Sequence, residues 1–102
     1  MRTFTIHVAD AFPSRSSRPS GREARAVVVG LLEAHEVVTL DFDQVPITPS
    51  FADELVGALV TTLGPRVFLQ RIVLAGLSED TDSLVQHVVK RRTAQAKHVE
   101  HV

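Results

Sequence analysis

The sequence predicts an α/β fold with a mainly parallel β-sheet and helices packed on it, in the order β-α-β-α-β-α. Three observations predict it. Thr3–Val8 alternates strictly, placing Phe4, Ile6 and Val8 on one face, which is the period of a half-buried strand. Val37–Phe42 and Arg71–Leu77 are short, dense apolar runs of the kind that fill strands buried on both faces. The stretches between and after them carry apolar residues three and four apart, the period of a helix. Strands alternating with helices imply parallel neighbours. The first strand, at an edge, could also run antiparallel.

The first strand is followed by Asp10–Ser20, rich in Ser, Arg and Pro and without periodicity, which reads as an exposed loop. Ser20 and Glu23 have the spacing of a capping box, so the first helix is expected to open there. It runs to about His35 with Ala24, Val27, Val28, Leu31 and Leu32 inward, and Gly30 weakens it by up to ~1 kcal/mol. After the second strand, Pro46 and Pro49 exclude regular structure. Ser50 with Asp53 offers a second cap, and Phe51, Leu55, Leu59 and Leu63 form the stripe of a second helix. Gly64-Pro65 stops that helix. Val67-Phe68-Leu69 reads as an extended lead into the third strand. A last helix opens among Asp80, Thr81 and Asp82, buries Leu84, Val85, Val88 and Val89, and ends on Lys90, Arg91 and Arg92. Residues 98–102 are expected to fray.

At 102 residues the chain is read as one domain, 1–102. Phe is its only aromatic, so the core is aliphatic with a few phenyl rings. With no cysteine, disulfides, thiolate metal sites and a cysteine nucleophile are excluded. No apolar run is long enough to span a bilayer, and the start lacks a signal-peptide core; a cytoplasmic location is expected. A formal net charge of −1 gives no overall field for nucleic acid.

The segment Thr39–Leu55, TLDFDQVPITPSFADEL, is the most specific stretch. It resembles the diagnostic block of STAS domains, a strand like LDLSxV followed by IDSSGLG opening a helix. It is still more similar to a STAS-like family of unknown function in which LDFxxV precedes SFADEL. Arg18–Arg25 resembles that family's basic entry to the first helix, and RIVLAGLS its closing strand, so the likeness runs from Phe4 to about Arg92. The resemblance implies a regulatory protein-interaction module. In anti-sigma factor antagonists a serine at the second helix start is phosphorylated by an ATP-binding, kinase-like partner. Added charge at a helix start reverses binding on sound physical grounds. By position, that phosphoacceptor falls here on Pro49, the second serine on Ser50, the aspartate on Thr48 and the glycine on Phe51. The resemblance therefore carries over the contact surface more firmly than the phosphorylation.

The surface expected to meet the partner spans Asp43 to Glu54, centred on Thr48, Ser50 and Asp53. Ser50 is read first as a helix N-cap worth ~1 kcal/mol, with phosphoacceptor or partner contact as the alternatives. Arg18, Arg22 and Arg25 are candidate contacts for an acidic partner or an anion. Asp41, Asp43, Asp53 and Glu54 are read as turn and helix-start charges rather than as a Mg²⁺ site or acid/base pair. His98 and His101 on the tail lack a rigid frame for a metal, and His7 is expected to face solvent. No cofactor, metal or catalytic residue is assigned, and homo-oligomerisation is left open. Two rival readings are a nucleic-acid-associated regulator using the basic residues and a small carboxylate-based, metal-dependent enzyme.

Overall fold

The computed structural model describes residues 2–100. Its sheet has three parallel strands in the order β1 (Thr3–His7), β2 (Val37–Asp41) and β3 (Ile72–Ala75). β1 is thus an edge strand, and it runs parallel. Because the spatial order follows the chain order, each connection crosses over in the same sense and leaves its helices on the same side. One sheet face carries Ile6, Val38, Leu40 and Ile72 into the core. The alternate residues, Thr5, Thr39 and Val73 aligned across the strands, form an uncovered face.

β1 leads into a single turn, α1 (Val8–Ala11), and a loop to Ser17. The long helix α2 (Arg18–Ala34) opens one turn earlier than the Ser20–Glu23 spacing suggests. Ser17 is the cap: its Oγ accepts from the Ser20 N–H at 3.2 Å, and the Ser20 Oγ accepts from the Ser17 N–H at 3.2 Å. Pro19 fits because the first turn needs no N–H from it. Ala24, Val28 and Leu32 are buried as expected, but Val27 is 46% exposed.

The second helical region is built from α3 (Pro49–Ala52), a π-helical turn (Asp53–Gly57) and α4 (Ala58–Leu63), which run on without a break. Phe51, Leu55, Val56, Leu59 and Val60 are fully buried, so this element lies in the heart of the core, with α2 and the C-terminal helix against its π turn. Gly64 stops it at φ +85°. The Val67–Leu69 stretch is not extended; it belongs to α5 (Pro65–Arg71), where Phe68 alone is buried and Leu69 is 75% exposed. Arg71 at its end donates to the carbonyls of Leu32, His35 and Glu36, capping the end of α2.

The final helix, α6 (Glu79–Glu100), buries Val85 and Val88 and starts under a Ser78 cap that accepts from the Thr81 N–H at 3.3 Å. It does not end at Arg92: the backbone stays helical to Glu100 through part of the expected frayed tail, and residues 101–102 lie outside the described residues. Lys90, Arg91 and Arg92 therefore sit within the helix, and the helix dipole does not account for them.

Candidate functional site: an arginine face built on the π turn

The site starts from a helix start that sequence spacing misplaces by two residues. Thr48, not Ser50, is the cap, its Oγ1 accepting from the Phe51 N–H at 3.2 Å, with Pro49 in the first helical position. Ser50 is the second helical residue and half-buried, so its expected capping role falls to Thr48. The Thr48 N–H donates to the Arg15 carbonyl at 3.3 Å and ties the two loops together. Beside it, a groove of about 530 Å³ runs between Pro13–Ser16 and Pro46–Thr48.

One turn on, the π geometry directs two successive carboxylates at the neighbouring helices. Asp53 is 7% exposed. Its Oδ1 accepts from Arg91 at 2.9 Å and from the Arg92 Nε at 3.1 Å; its Oδ2 accepts from Arg92 and Arg18, both at 3.0 Å. The Arg92 hydrogen bonds, helped by Arg18 and Arg91, hold the Asp53 carboxyl far below the ordinary carboxylate range although burial pushes the other way. Glu54 accepts from Arg18 at 3.2 Å and Arg25 at 3.3 Å, and lies 3.8 Å from Arg22. Arg25 also donates to the Glu54 carbonyl at 2.8 Å, and Arg92 to the Thr61 hydroxyl at 3.1 Å.

Two glycines allow this closure. A Cβ on Gly21 would lie 2.6 Å from the Glu54 Cβ, and one on Gly57 would lie 2.7 Å from Val88 and 2.9 Å from the Asp53 Oδ1. The first lets α2 approach the π turn; the second lets α6 do so. π turns are rare and recur at functional sites.

The result is a face on which five guanidinium groups from α2 and α6 meet two carboxylates, an excess of three positive charges. Arg18, Arg22 and Arg91 are about half exposed, and each engages these acids through one terminal nitrogen only. The rest of each fork is available to an outside acceptor.

The structure thus brings Arg18, Arg22 and Arg25 together with Asp53, and shows Asp53 to be an internal anchor. Arg91 and Arg92 were missed; a basic pair in mid-helix opposite adjacent acids was the available signal. Asp43 belongs elsewhere. It lies at the end of the sheet, where its Oδ1 is 2.9 Å from the Nδ1 of His7, and His7 is exposed as expected.

The model of a known family, the STAS-like domain of unknown function (DUF4325), matches residues 24–82. The chain belongs to that family. The matched segment contains the LDF and SFADEL stretches and β3, hence Asp53 and Glu54; Arg18, Arg22, Arg91 and Arg92 lie outside it. No curated protein and no solved structure gave a match. The three-stranded parallel sheet with its helices is consistent with a STAS-like fold. Among the described residues, no helix is long and apolar enough to cross a membrane.

Proposed function

We propose that this chain is a regulatory protein–protein interaction module, not an enzyme, which docks an acidic surface of a separately encoded protein in the cytoplasm. One observation carries the reading: the two acidic residues of the SFADEL stretch face inward and organise a surface of five arginines. Arginine forks suit carboxylates and other planar anions, and anchored guanidinium groups lose less entropy on binding. The adjoining corner, Thr48 and Ser50 beside the Pro13–Ser16 groove, supplies the rest of the contact.

By family likeness the partner is an ATP-binding, kinase-like regulator of the anti-sigma type. Ser50, the second residue of its helix, is then the hydroxyl at which phosphorylation adds negative charge to the contact and releases the partner.

The test is affinity capture from the native host with wild type, Arg22→Glu and Ser50→Asp as baits, with intact-mass measurement of each. Arg22 touches Glu54 only at 3.8 Å, so reversing its charge perturbs the fold least. A protein held by wild type and lost with Arg22→Glu supports the reading. A phosphate-sized mass increment on wild type extends it to phosphoregulation. Recovery that vanishes on nuclease treatment replaces it with a nucleic-acid reading, since five arginines also suit a polyanion.

A further inference from the structure

At the other end of the sheet, the last residues of β1 and β2 stand side by side: His7 is paired with Asp41 in the strand register. Both lie on the uncovered face, as alternates of the buried Ile6 and Leu40. Asp43 follows two residues on, in a turn whose ends are held by β3. The Phe42 N–H donates to the Ala75 carbonyl at 2.9 Å, and the Gln44 N–H to the Gly76 carbonyl at 2.8 Å.

Each carboxylate is pinned at one oxygen by a backbone N–H and turns the other toward His7. Asp43 Oδ2 accepts from the Ala9 N–H at 3.3 Å, leaving Oδ1 at 2.9 Å from the His7 Nδ1. Asp41 Oδ1 accepts from the Asp43 N–H at 3.0 Å, leaving Oδ2 at 3.9 Å from the same nitrogen. One imidazole nitrogen and two carboxylate oxygens, all within 4.8 Å of one another, thus converge from three separate points of the backbone. Bonds of about 2.0–2.2 Å to a divalent transition metal set ligand spacings of roughly 3–3.5 Å. The Asp43 Oδ1, at 2.9 Å from the His7 Nδ1, stands close to that spacing, and the Asp41 Oδ2, at 3.9 Å, just outside it.

We propose that His7, Asp41 and Asp43 form a binding site for a borderline divalent cation such as Zn²⁺ or Co²⁺. The donor set decides the class: imidazole selects against Mg²⁺ and Ca²⁺, which favour all-oxygen shells. Two carboxylates balance the ion's two charges, and the backbone N–H groups on the outer oxygens fix the ligands' orientation. A set of three protein ligands leaves positions open to solvent, so the ion is accessible to a further ligand, such as a carboxylate of a partner.

The test is titration of the untagged full chain with Co²⁺, read by visible d–d absorption, and with Zn²⁺, read by thermal shift. The expected results are a one-to-one Co²⁺ complex, a higher Tm with Zn²⁺, and affinity lost at least about tenfold in His7→Gln and in Asp43→Asn. His87→Gln and the double change His98→Gln/His101→Gln leave binding unchanged. If His7→Gln does not fold, Asp41→Asn gives the same reading without touching β1. Absence of a Co²⁺ spectrum with metal in large excess overturns the proposal. So does binding that survives the His7 and Asp43 changes but disappears with the other histidines.

Discussion

Replacing Asp53 with asparagine removes one charge and keeps the shape. In the wild type the carboxylate accepts four hydrogen bonds from three arginines. Arg92, whose side chain is 22% exposed, holds both oxygens; that paired, partly buried contact is worth about 2 kcal/mol. Arg18 and Arg91 are half solvated, and screening leaves their contacts a smaller further share. Asp53→Asn should therefore cost about 3 kcal/mol, a large part of the 5–15 kcal/mol usual for a domain. With a urea slope of about 1.5 kcal/mol per molar, the midpoint falls by about 2 M. The chain has no Trp or Tyr, so far-UV circular dichroism is the probe. The sign with pH follows from the lowered pKa of the folded state. The stabilisation is fully present above the unfolded-state value near 4 and drains away as pH falls toward the folded one. The gap between wild type and variant should narrow by about 1 kcal/mol on going from pH 7 to pH 3. A midpoint change below about 0.5 M at pH 7 would refute the claim that Asp53 anchors the arginines. A gap that is the same at both pH values would refute the electrostatic cause.

Three further outcomes follow from the same geometry. Gly57→Ala forces a Cβ against Val88 and Asp53 and should lower stability by about 1–3 kcal/mol, seen as a Tm drop of several degrees. Thr48→Ala should cost about 1 kcal/mol in urea unfolding whereas Ser50→Ala stays within about 0.5, because Thr48 holds the cap; the reverse order would move the helix start. Arg71→Ala strips the donor from the Leu32, His35 and Glu36 carbonyls at and just past the end of α2 and should destabilise by about 1–2 kcal/mol, with α2 amides gaining most in hydrogen exchange.

The strands were legible because their signal is local: alternation in Thr3–Val8 and dense apolar runs in Val37–Phe42 and Arg71–Leu77. The helix starts were misread twice for one reason. Ser20–Glu23 and Ser50–Asp53 have capping-box spacing, but the caps are Ser17 and Thr48, with Pro19 and Pro49 in the first turns. A proline there points to the residue just before the turn, and that cue outweighs a spacing match. Val67–Leu69 reads as strand by residue type, yet Pro65 opens a helix in which only Phe68 needs burial. The arginine face was half visible. Arg18, Arg22 and Arg25 stand near one another in the chain, while Arg91 and Arg92 reach Asp53 from 38 and 39 residues away. The π turn that aims Asp53 at them is a tertiary adjustment with no local sequence mark. His7, Asp41 and Asp43 come together only through the parallel register of β1 and β2.

That the arginines gathered by Asp53 and Glu54 form the contact surface for an acidic partner is the decisive proposal. It is tested most directly by isothermal titration of the captured partner against wild type and the double variant Arg22→Glu/Arg91→Glu, at low and moderate salt. The expected result is at least a tenfold loss of affinity in the variant and a wild-type Kd that weakens as salt rises. A Kd unchanged within about twofold, with both proteins folded, would contradict it and place the contact elsewhere on the molecule.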